Sequence, residues 1–293
     1  TEPLSVEEGL WQWMPDPFVE TIWRPMKDPD RMSWSNGVRL SSLFLSDAPV
    51  HLAPDPRTGF RWEIFEGGTF KAGTGLYHQP PEGADLTGDF AFERAWSSEA
   101  GWEQQFTPGL SVDLTGFYRD MKLTQGIGRA YGMETMIRQA PIGRWFGWIS
   151  YTLSKSERND TPSNPKGWYP FAFDQTHILT VVAGYRLPLD LDLSTRFQYV
   201  TGNPYTPYQN GVFLMDSGGY LGIPGGSPNS AREDPYYALD LRVEKLITHP
   251  KWQISLFADL LNVVHGENPE FTLYNYDYTE SAEISSLPFF PSL

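Results

Sequence analysis

The sequence predicts an all-β protein, an antiparallel up-and-down transmembrane β-barrel, and three observations support that fold class. Residues 110–156 alternate apolar and polar side chains in three runs joined by tight turns, as strands with two unlike faces do. Runs of about ten residues separated by short turns have the length that a membrane-spanning strand needs. Aromatic residues make up 15% of the chain, and they favour the boundary between membrane and water.

The same alternation continues along the chain and predicts about 14 strands, mostly linked as hairpins. Residues 1–16 read as an irregular N-terminal segment and residues 17–293 as the barrel. Proline, glycine and asparagine mark loops at 47–56, 157–168 and 202–234. The predicted strands are 17–23, 32–45, 59–65, 70–77, 92–106, 110–119, 128–138, 145–154, 177–187, 189–199, 237–246, 252–264, 271–278 and the start of a last one at 287–293.

Composition narrows the class of protein. No run of 18 apolar residues exists, which excludes a helical membrane protein. The formal charge of −14 argues against a nucleic-acid partner, because binding nucleic acid needs a basic surface. The absence of cysteine excludes disulfides and thiolate metal sites.

A soluble β-protein is the alternative to a membrane barrel. Strands of soluble proteins average about 5–6 residues, whereas several strands here reach ten or more. The polar faces of these strands carry Asp113, Arg119, Asp190 and Asp192, which can pair across a wide and wet lumen. Strand length and charge therefore favour the membrane barrel.

Eight short motifs follow one another along the chain: GLYHQP at 75–80, GFYRD at 116–120, GRAYGME at 128–134, YTLS at 151–154, FDQTH at 173–177, VTGNPY at 200–205, LDLR at 239–242 and DLLNV at 259–263. In this order they resemble the C-terminal part of the barrel of TonB-dependent outer-membrane receptors, in particular the branch found in myxobacteria and related bacteria.

The resemblance implies a protein of the Gram-negative outer membrane that takes up a small ligand such as an iron chelate, a vitamin or a glycan. The family's full barrel has about 22 strands and encloses an N-terminal plug. This sequence contains no plug and no TonB box, and it stops at Leu293 where the family continues to a terminal aromatic residue. We expect either part of such a receptor, or a split or reduced barrel that acts as a structural component of a complex or as a passive pore.

The expected partners follow from the same resemblance. They are outer-membrane lipid, a second chain that completes the barrel or supplies the plug, and a TonB-type energising protein that acts through that plug.

Five residues are candidates for ligand binding. Tyr205, Tyr208 and Tyr220 lie in a loop rich in Gly, Pro and Asn, where they can form an aromatic platform for a sugar or an iron chelate. An interfacial aromatic belt explains the same residues without a ligand. Arg196 and Arg242 can steer an anionic ligand from the lumenal face, or they can pair with lumenal Asp and Glu.

Catalytic, cofactor and metal sites are not predicted. Asp174 and His177 could form an acid–base pair, but no nucleophile motif accompanies them, and Asp174 can instead satisfy backbone groups at the start of a strand. The acidic residues of the loops lack the spacing of a calcium-binding loop and read as solvated charge: Glu157, Asp160, Asp174, Asp216 and Glu233.

The turn after residue 261 raises the question of loop sidedness. Asn262 is predicted to cap this turn through its side chain. Strand parity places the turn at 264–268 and the loops at 157–170 and 202–234 on one side, and counting back from the family's C-terminus makes that side periplasmic. Long barrel loops are usually extracellular. Either one strand is misassigned, or the long loops dock onto a periplasmic partner.

Overall fold

A computed structural model of the chain describes residues 12–28, 30–45, 50–81, 92–160, 167–286 and 288–292. The described residues contain β-strands and turns but no helix. None of them accordingly forms a helix long and apolar enough to cross a membrane.

The strands are numbered in chain order. Their bounds are β1 Gln12–Trp13, β2 Phe18–Trp23, β3 Met32–Leu45, β4 His51–Phe65, β5 Gly68–Gln79, β6 Glu93–Gln105, β7 Leu110–Leu123, β8 Gly126–Gln139, β9 Trp145–Asn159, β10 Tyr169–Pro170, β11 His177–Leu187, β12 Leu191–Val200, β13 Pro204–Tyr205, β14 Tyr208–Leu214, β15 Gly219–Pro224, β16 Ala231–Arg232, β17 Tyr236–His249, β18 Trp252–Leu261, β19 Pro269–Tyr274, β20 Ser281–Ser285 and β21 Phe290–Ser292. The predicted strands 32–45, 92–106 and 110–119 correspond to β3, β6 and β7.

Of these strands, 15 form one antiparallel sheet in which chain neighbours are also spatial neighbours. Its order is β1-β3-β4-β5-β6-β7-β8-β9-β11-β12-β17-β18-β21, with β2 paired to β3 and β10 paired to β9. This confirms the predicted all-β, antiparallel, up-and-down architecture. The N-terminal segment predicted as irregular, 1–16, contains β1, and residues 1–11 lie outside the described part of the chain.

Register assigns every strand residue to one of two faces, because directly paired residues point to the same side of a sheet. Ile149 pairs with Val181, Val181 with Phe197, and Phe197 with Leu239. We call the side that they share the apolar face. The next row, Ser150, Thr180 and Gln198, lies on the opposite side, the polar face. The polar face also holds the ion pairs Arg39–Asp55, Arg57–Glu20, Arg61–Glu103, Lys71–Asp113, Arg196–Asp240, Arg242–Glu244 and Arg242–Asp259.

Aromatic residues mark both ends of the apolar face. Trp and Tyr at such positions form the girdles of membrane barrels, where one edge of the ring is apolar and the other is wet. One row lies next to the short turns: Trp34, Trp62, Trp102, Trp145 and Trp252. The other lies toward the opposite end: Trp96, Tyr118, Tyr131, Tyr199 and Tyr237.

Connections alternate between the two ends of the sheet, since consecutive strands run in opposite directions. At the end that we call the turn end, the connections include 66–67, 106–109, 140–144, 188–190 and 250–251. At the other end, the loop end, they are 46–50, 80–92, 124–125, 160–176, 201–235 and 262–289. All the longest connections therefore share one end.

Several predicted elements differ in the structure. The predicted loop 202–234 contains the short strands β13 to β16. The predicted barrel strand 271–278 is instead half of a separate hairpin, β19–β20, because a hydrogen-bonded turn closes after Tyr274. The predicted loop 47–56 overlaps β4, which already begins at His51 despite Pro54 and Pro56. Those prolines are tolerated because β5 pairs with β4 only from Arg57 onward, so the missing N–H groups lie where β4 has no second ladder.

Candidate ligand site in the loops

The long connections at the loop end are tied to one another by buried polar side chains. We call the described residues 167–176, 201–235 and 262–286 the loop cluster. The carboxylate of Glu233 accepts hydrogen bonds from the Thr272 backbone N–H at 3.0 Å and from its hydroxyl at 2.8 Å. The Asn229 amide donates to the Pro170 carbonyl at 2.8 Å. These bonds join three loops that are far apart in sequence.

Arg232 forms the central link of the loop cluster. Its Nη2 donates to Asp174 Oδ2 at 2.6 Å, and its Nη1 donates to the Gly202 carbonyl at 2.9 Å. The other carboxylate oxygen of Asp174 accepts the Ser156 backbone N–H at 2.6 Å. Asp174 is only 2% exposed, so its charge depends on these partners.

Two hairpins of the loop cluster, β14–β15 and β19–β20, meet through tyrosine rings. Tyr208 lies 5.3 Å from Tyr274 in an edge-on arrangement and 4.9 Å from Tyr278, measured between ring centroids. Tyr220 contacts Tyr276 at 5.7 Å. The Tyr208 backbone N–H also donates to the Tyr274 hydroxyl at 3.2 Å. We call the rings that meet here the aromatic cluster: Tyr208, Phe213, Tyr220, Tyr274, Tyr276 and Tyr278.

The aromatic cluster presents its rings to solvent. Tyr276 is 79% exposed and Phe213 is 51% exposed. Rings that are fixed by their neighbours and still exposed can stack against a flat ligand without first being ordered.

A turn at the tip of β19–β20 holds three of these rings in place. Asn275 Oδ1 accepts the backbone N–H groups of Thr279 and Glu280 at 2.9 and 3.2 Å. The hydroxyl of Thr279 donates to Asp277 at 2.7 Å, and this bond is the main cause that holds the pKa of Asp277 below its usual value.

The structure brings together two of the three predicted ligand-binding tyrosines. Tyr208 and Tyr220 are in the aromatic cluster, whereas Tyr205 lies in β13, which pairs with β16. Burial raises the pKa of Tyr205, and the nearby charge of Glu233 raises it further. Sequence reasoning did not assign Tyr274, Tyr276 and Tyr278 to this site because they were placed in a barrel strand. The signal that could have found them is the Asn275–Thr279 spacing of a turn within that run.

The two predicted arginines lie on the polar face of the sheet, away from the aromatic cluster. Arg196 donates from Nε and Nη2 to Asp240 at 2.9 and 2.6 Å. Arg242 is within 3.2 Å of both Glu244 and Asp259. Both guanidinium groups are therefore ion-paired, and their role toward a ligand stays a prediction.

Asn262 begins the turn that follows β18, with a positive φ of 50°. Its side chain donates to the Gly266 carbonyl at 2.9 Å and accepts the Gly266 N–H at 3.0 Å. It is 5% exposed, so these bonds replace contacts with water.

The other acidic candidates have separate partners. Glu157 pairs with Arg129 and Lys155, each at 2.7 Å. Asp160 accepts the Tyr169 hydroxyl at 2.8 Å, and burial together with this bond raises the pKa of Tyr169 to about 12. His177 Nδ1 lies 2.9 Å from the Tyr151 hydroxyl rather than beside Asp174. Among the residues that the structure describes, no group of three His, Cys, Asp or Glu side chains is arranged to hold a metal ion.

A concave region separate from the loop cluster lies on the polar face of β2 to β7. It is a groove of 740 Å³ whose floor includes Gly59 and Gly73 and whose walls carry Arg57, Lys71 and Glu99. Charge of both signs lines it, so it suits a polar occupant.

Comparison with known proteins finds similarity in structure only. No protein-family model matches the chain, and no curated protein sequence does. Among solved structures, it is similar to the ferric yersiniabactin uptake receptor FyuA from Yersinia pestis, at 13% identity, a TM-score of 0.71 and coverage of 96% of this chain and 44% of that one.

Two further solved structures are also similar to the chain. The FrpB iron transporter from Neisseria meningitidis matches at 14% identity and a TM-score of 0.62, covering 92% of this chain and 43% of that one. The ferric-catecholate import receptor Fiu from E. coli K12 matches at 14% identity and a TM-score of 0.63, covering 93% and 42%. The chain spans less than half the length of each of these proteins. It has the barrel fold of a TonB-dependent receptor.

Proposed function

We propose that the chain is part of the outer-membrane barrel of a receptor that takes up a small ligand in a Gram-negative bacterium. The observation that carries the proposal is the separation of the two faces: one face is apolar with an aromatic row at each end, and the other holds a chain of ion pairs. A sheet of this kind places its apolar face toward lipid and its polar face toward a lumen. The fold shared with iron-uptake receptors supports the same assignment.

The loop end faces the cell exterior in this proposal. Because 271–278 is not a strand of the barrel wall, the number of barrel strands falls by one. The last strand, β21, therefore runs from the loop end toward the turn end. Barrels of this class have short periplasmic turns and long extracellular loops. The corrected count thus agrees with loop length and makes docking of the long loops in the periplasm unnecessary.

The aromatic cluster is the proposed ligand contact. The similar structures are described as receptors or transporters of iron and of ferric chelates, which supports an iron chelate as the ligand class. Flat aromatic or chelating groups stack well on exposed tyrosine rings. A vitamin or a glycan would use the same rings.

A second polypeptide segment is proposed to complete the barrel. In the described part of the chain, β2 and β18 form no pair with each other, and β21 covers only Asp259–Leu261 of β18. Open edges in lipid leave backbone groups without partners, so further strands must cover them. The groove on the polar face is where a plug would contact this wall, and a TonB-type protein would act through that plug.

An open edge also favours a second candidate. A split or reduced barrel that pairs with another chain would act as a structural component of an outer-membrane complex, or as a passive pore. Enzymatic activity is not part of either proposal: Asp174 is engaged by Arg232, and His177 by Tyr151.

Native mass spectrometry of the protein extracted from outer membranes in mild detergent tests the proposal. We expect a heat-modifiable species larger than the 33.3 kDa chain, containing the missing strands and a plug. A folded species at the mass of the chain alone would favour the pore or scaffold. Recovery in the soluble fraction, folded without detergent, would contradict both.

A further inference from the structure

Four cations lie together on the apolar face, at and beyond the aromatic row at the loop end. We call Arg94, Lys122, Arg129 and Lys155 the basic cluster. Register places Arg94 opposite Lys122 between β6 and β7, and Lys155 opposite Tyr131 between β8 and β9. All four therefore share the face that carries the apolar band, in a chain whose net charge is −14.

The height of the basic cluster matches the edge of a membrane. Trp145 at the turn end and Lys155 lie ten residues apart on β9, which is about 33 Å along an extended strand. At the roughly 45° tilt of barrel strands, this corresponds to a height close to the ~25 Å apolar band of outer-membrane barrels. The cations thus stand level with lipid headgroups.

The pairing of Arg94 with Lys122 is the second observation that points to an anion. Directly opposed residues of an antiparallel pair have Cβ atoms about 4.5–5.5 Å apart, and like charges at such positions are destabilising. An anion that bridges the two side chains removes this repulsion. A phosphate is well suited, since Arg binds it through two N–H groups and Lys as a point charge.

Carboxylates on the same patch do not balance its charge. Glu157 is buried and forms ion pairs with both Arg129 and Lys155, each at 2.7 Å. Asp120, opposite Arg129, is the other carboxylate of the described patch. The Trp168 ring lies 4.2 Å from the Arg129 guanidinium and fixes its position. Four cations and two carboxylates leave a local excess of positive charge.

We propose that the basic cluster binds the phosphate groups of an anionic lipid in the outer leaflet, with Arg94 and Lys122 bridged by one phosphate. The proposal rests on the proposed membrane function. The lipid is the occupant because the same patch continues into the aromatic row at Trp96 and Tyr131 and then into the apolar band. Its acyl chains would lie along that band.

Binding of lipid A to the delipidated protein from outer membranes, followed by native mass spectrometry, tests the proposal. The probes are lipid A with both phosphates and the same lipid after phosphatase treatment. We expect the double variant Arg94→Gln/Lys122→Gln to bind phosphorylated lipid A about 30-fold more weakly, since each cation near an anionic surface contributes about fivefold. Lys245→Gln is the matched control, an apolar-face lysine near the turn end, and should bind as the unaltered protein does.

Three outcomes would overturn the inference: equal binding by the double variant, equal binding of the dephosphorylated lipid, or complete displacement by excess inorganic phosphate. The variant is expected to fold, because it removes a like-charge pair, and its unfolding in lipid-free detergent should occur at no lower temperature. If the protein is membrane-integrated and these lipids bind alike, only the lipid site is wrong. If it is not membrane-integrated, the proposed function fails as well.

Discussion

At the scale of single residues, a few buried polar side chains determine where the loops lie. Asp174, Glu233, Asn262 and Asn268 are each at most 8% exposed. Each of the four bonds a backbone group. A buried polar group must find a partner, and a partner on another loop fixes both segments. Long loops can thus be well placed without an apolar core.

Replacing Arg232 by Met should release the loop cluster. The change removes the donor from the buried Asp174 carboxylate, which costs about 1–3 kcal/mol. Limited proteolysis in detergent should then cleave within 201–235, while the heat-modifiable barrel remains. Arg186→Met is the control, because Arg186 has no salt bridge to a described residue. An unchanged cleavage pattern in Arg232→Met would show that the pair does not hold the loops.

Tyr169 should stabilise the folded state, and this stabilisation should be lost only at high pH. Its pKa is raised from 10.0 to about 12 by burial and by the bond to Asp160, so folding favours the protonated form. The contribution is complete below pH 10 and disappears as the pH rises to about 12. Tyrosinate absorbance is measured against pH for the protein and for Tyr169→Phe. The difference between the two titrations should show one ionising group with a midpoint at about pH 12. A midpoint near 10 would contradict the hydrogen bond between Tyr169 and Asp160.

At the scale of elements, the candidate ligand site depends on how two hairpins pack. β14–β15 and β19–β20 are separate two-stranded sheets. Neither buries much apolar surface alone, and isolated hairpins are marginally stable. Their contact through Tyr208, Tyr274 and Tyr278 therefore stabilises both.

Gly211→Ala should separate the two hairpins. A Cβ at Gly211 would lie 2.6 Å from the Asp277 carbonyl oxygen, a backbone atom that cannot turn away. Overpacking of this kind costs about 1–3 kcal/mol. Hydrogen exchange of residues 208–224 should accelerate. Gly219→Ala on the same hairpin is the control, since nothing lies within 4 Å of its Cβ. Equal exchange in the two variants would argue against the packed arrangement.

At the scale of the whole molecule, the apolar and polar residues of the main sheet lie on opposite faces, and this arrangement determines which solvent each face can contact. The apolar residues of this sheet are largely exposed in the isolated chain: Leu241 is 36% and Leu256 is 57% exposed. Only Leu43, Ala53 and Ala238 are buried apolar residues among those described. A soluble protein would bury such a face, so its exposure supports the proposed placement of this face in lipid.

Cysteine labelling of two neighbouring residues of β11 should distinguish the faces. The chain has no cysteine, so single substitutions report without background. Thr180→Cys, on the polar face, should react with a water-soluble maleimide in intact membranes, and Val181→Cys, on the apolar face, should not. Equal reactivity of the two positions would mean that the apolar face does not lie in lipid.

The strands of the sheet could be predicted from the sequence because their information is local. Alternation with a period of two is readable residue by residue, as between Ile149 and Ser154, and tight turns separate the runs. The predicted strand that is wrong, 271–278, also alternates, although its apolar and aromatic positions shift from 271 and 273 to 274, 276 and 278. The Asn275–Thr279 spacing indicates a turn within this run. Only the partner strand shows whether such a run belongs to a loop hairpin or to the main sheet.

The sequence by itself therefore determined the fold class, the two faces and the capping position of Asn262, since each depends on neighbouring residues. Only the tertiary structure decided the end at which the long loops meet, the aromatic cluster and the opposition of Arg94 to Lys122. These depend on register and on contacts between segments more than 20 residues apart, such as Tyr208 with Tyr274 at a separation of 66. Pairing of that kind is a property of the assembled sheet, which no local pattern encodes.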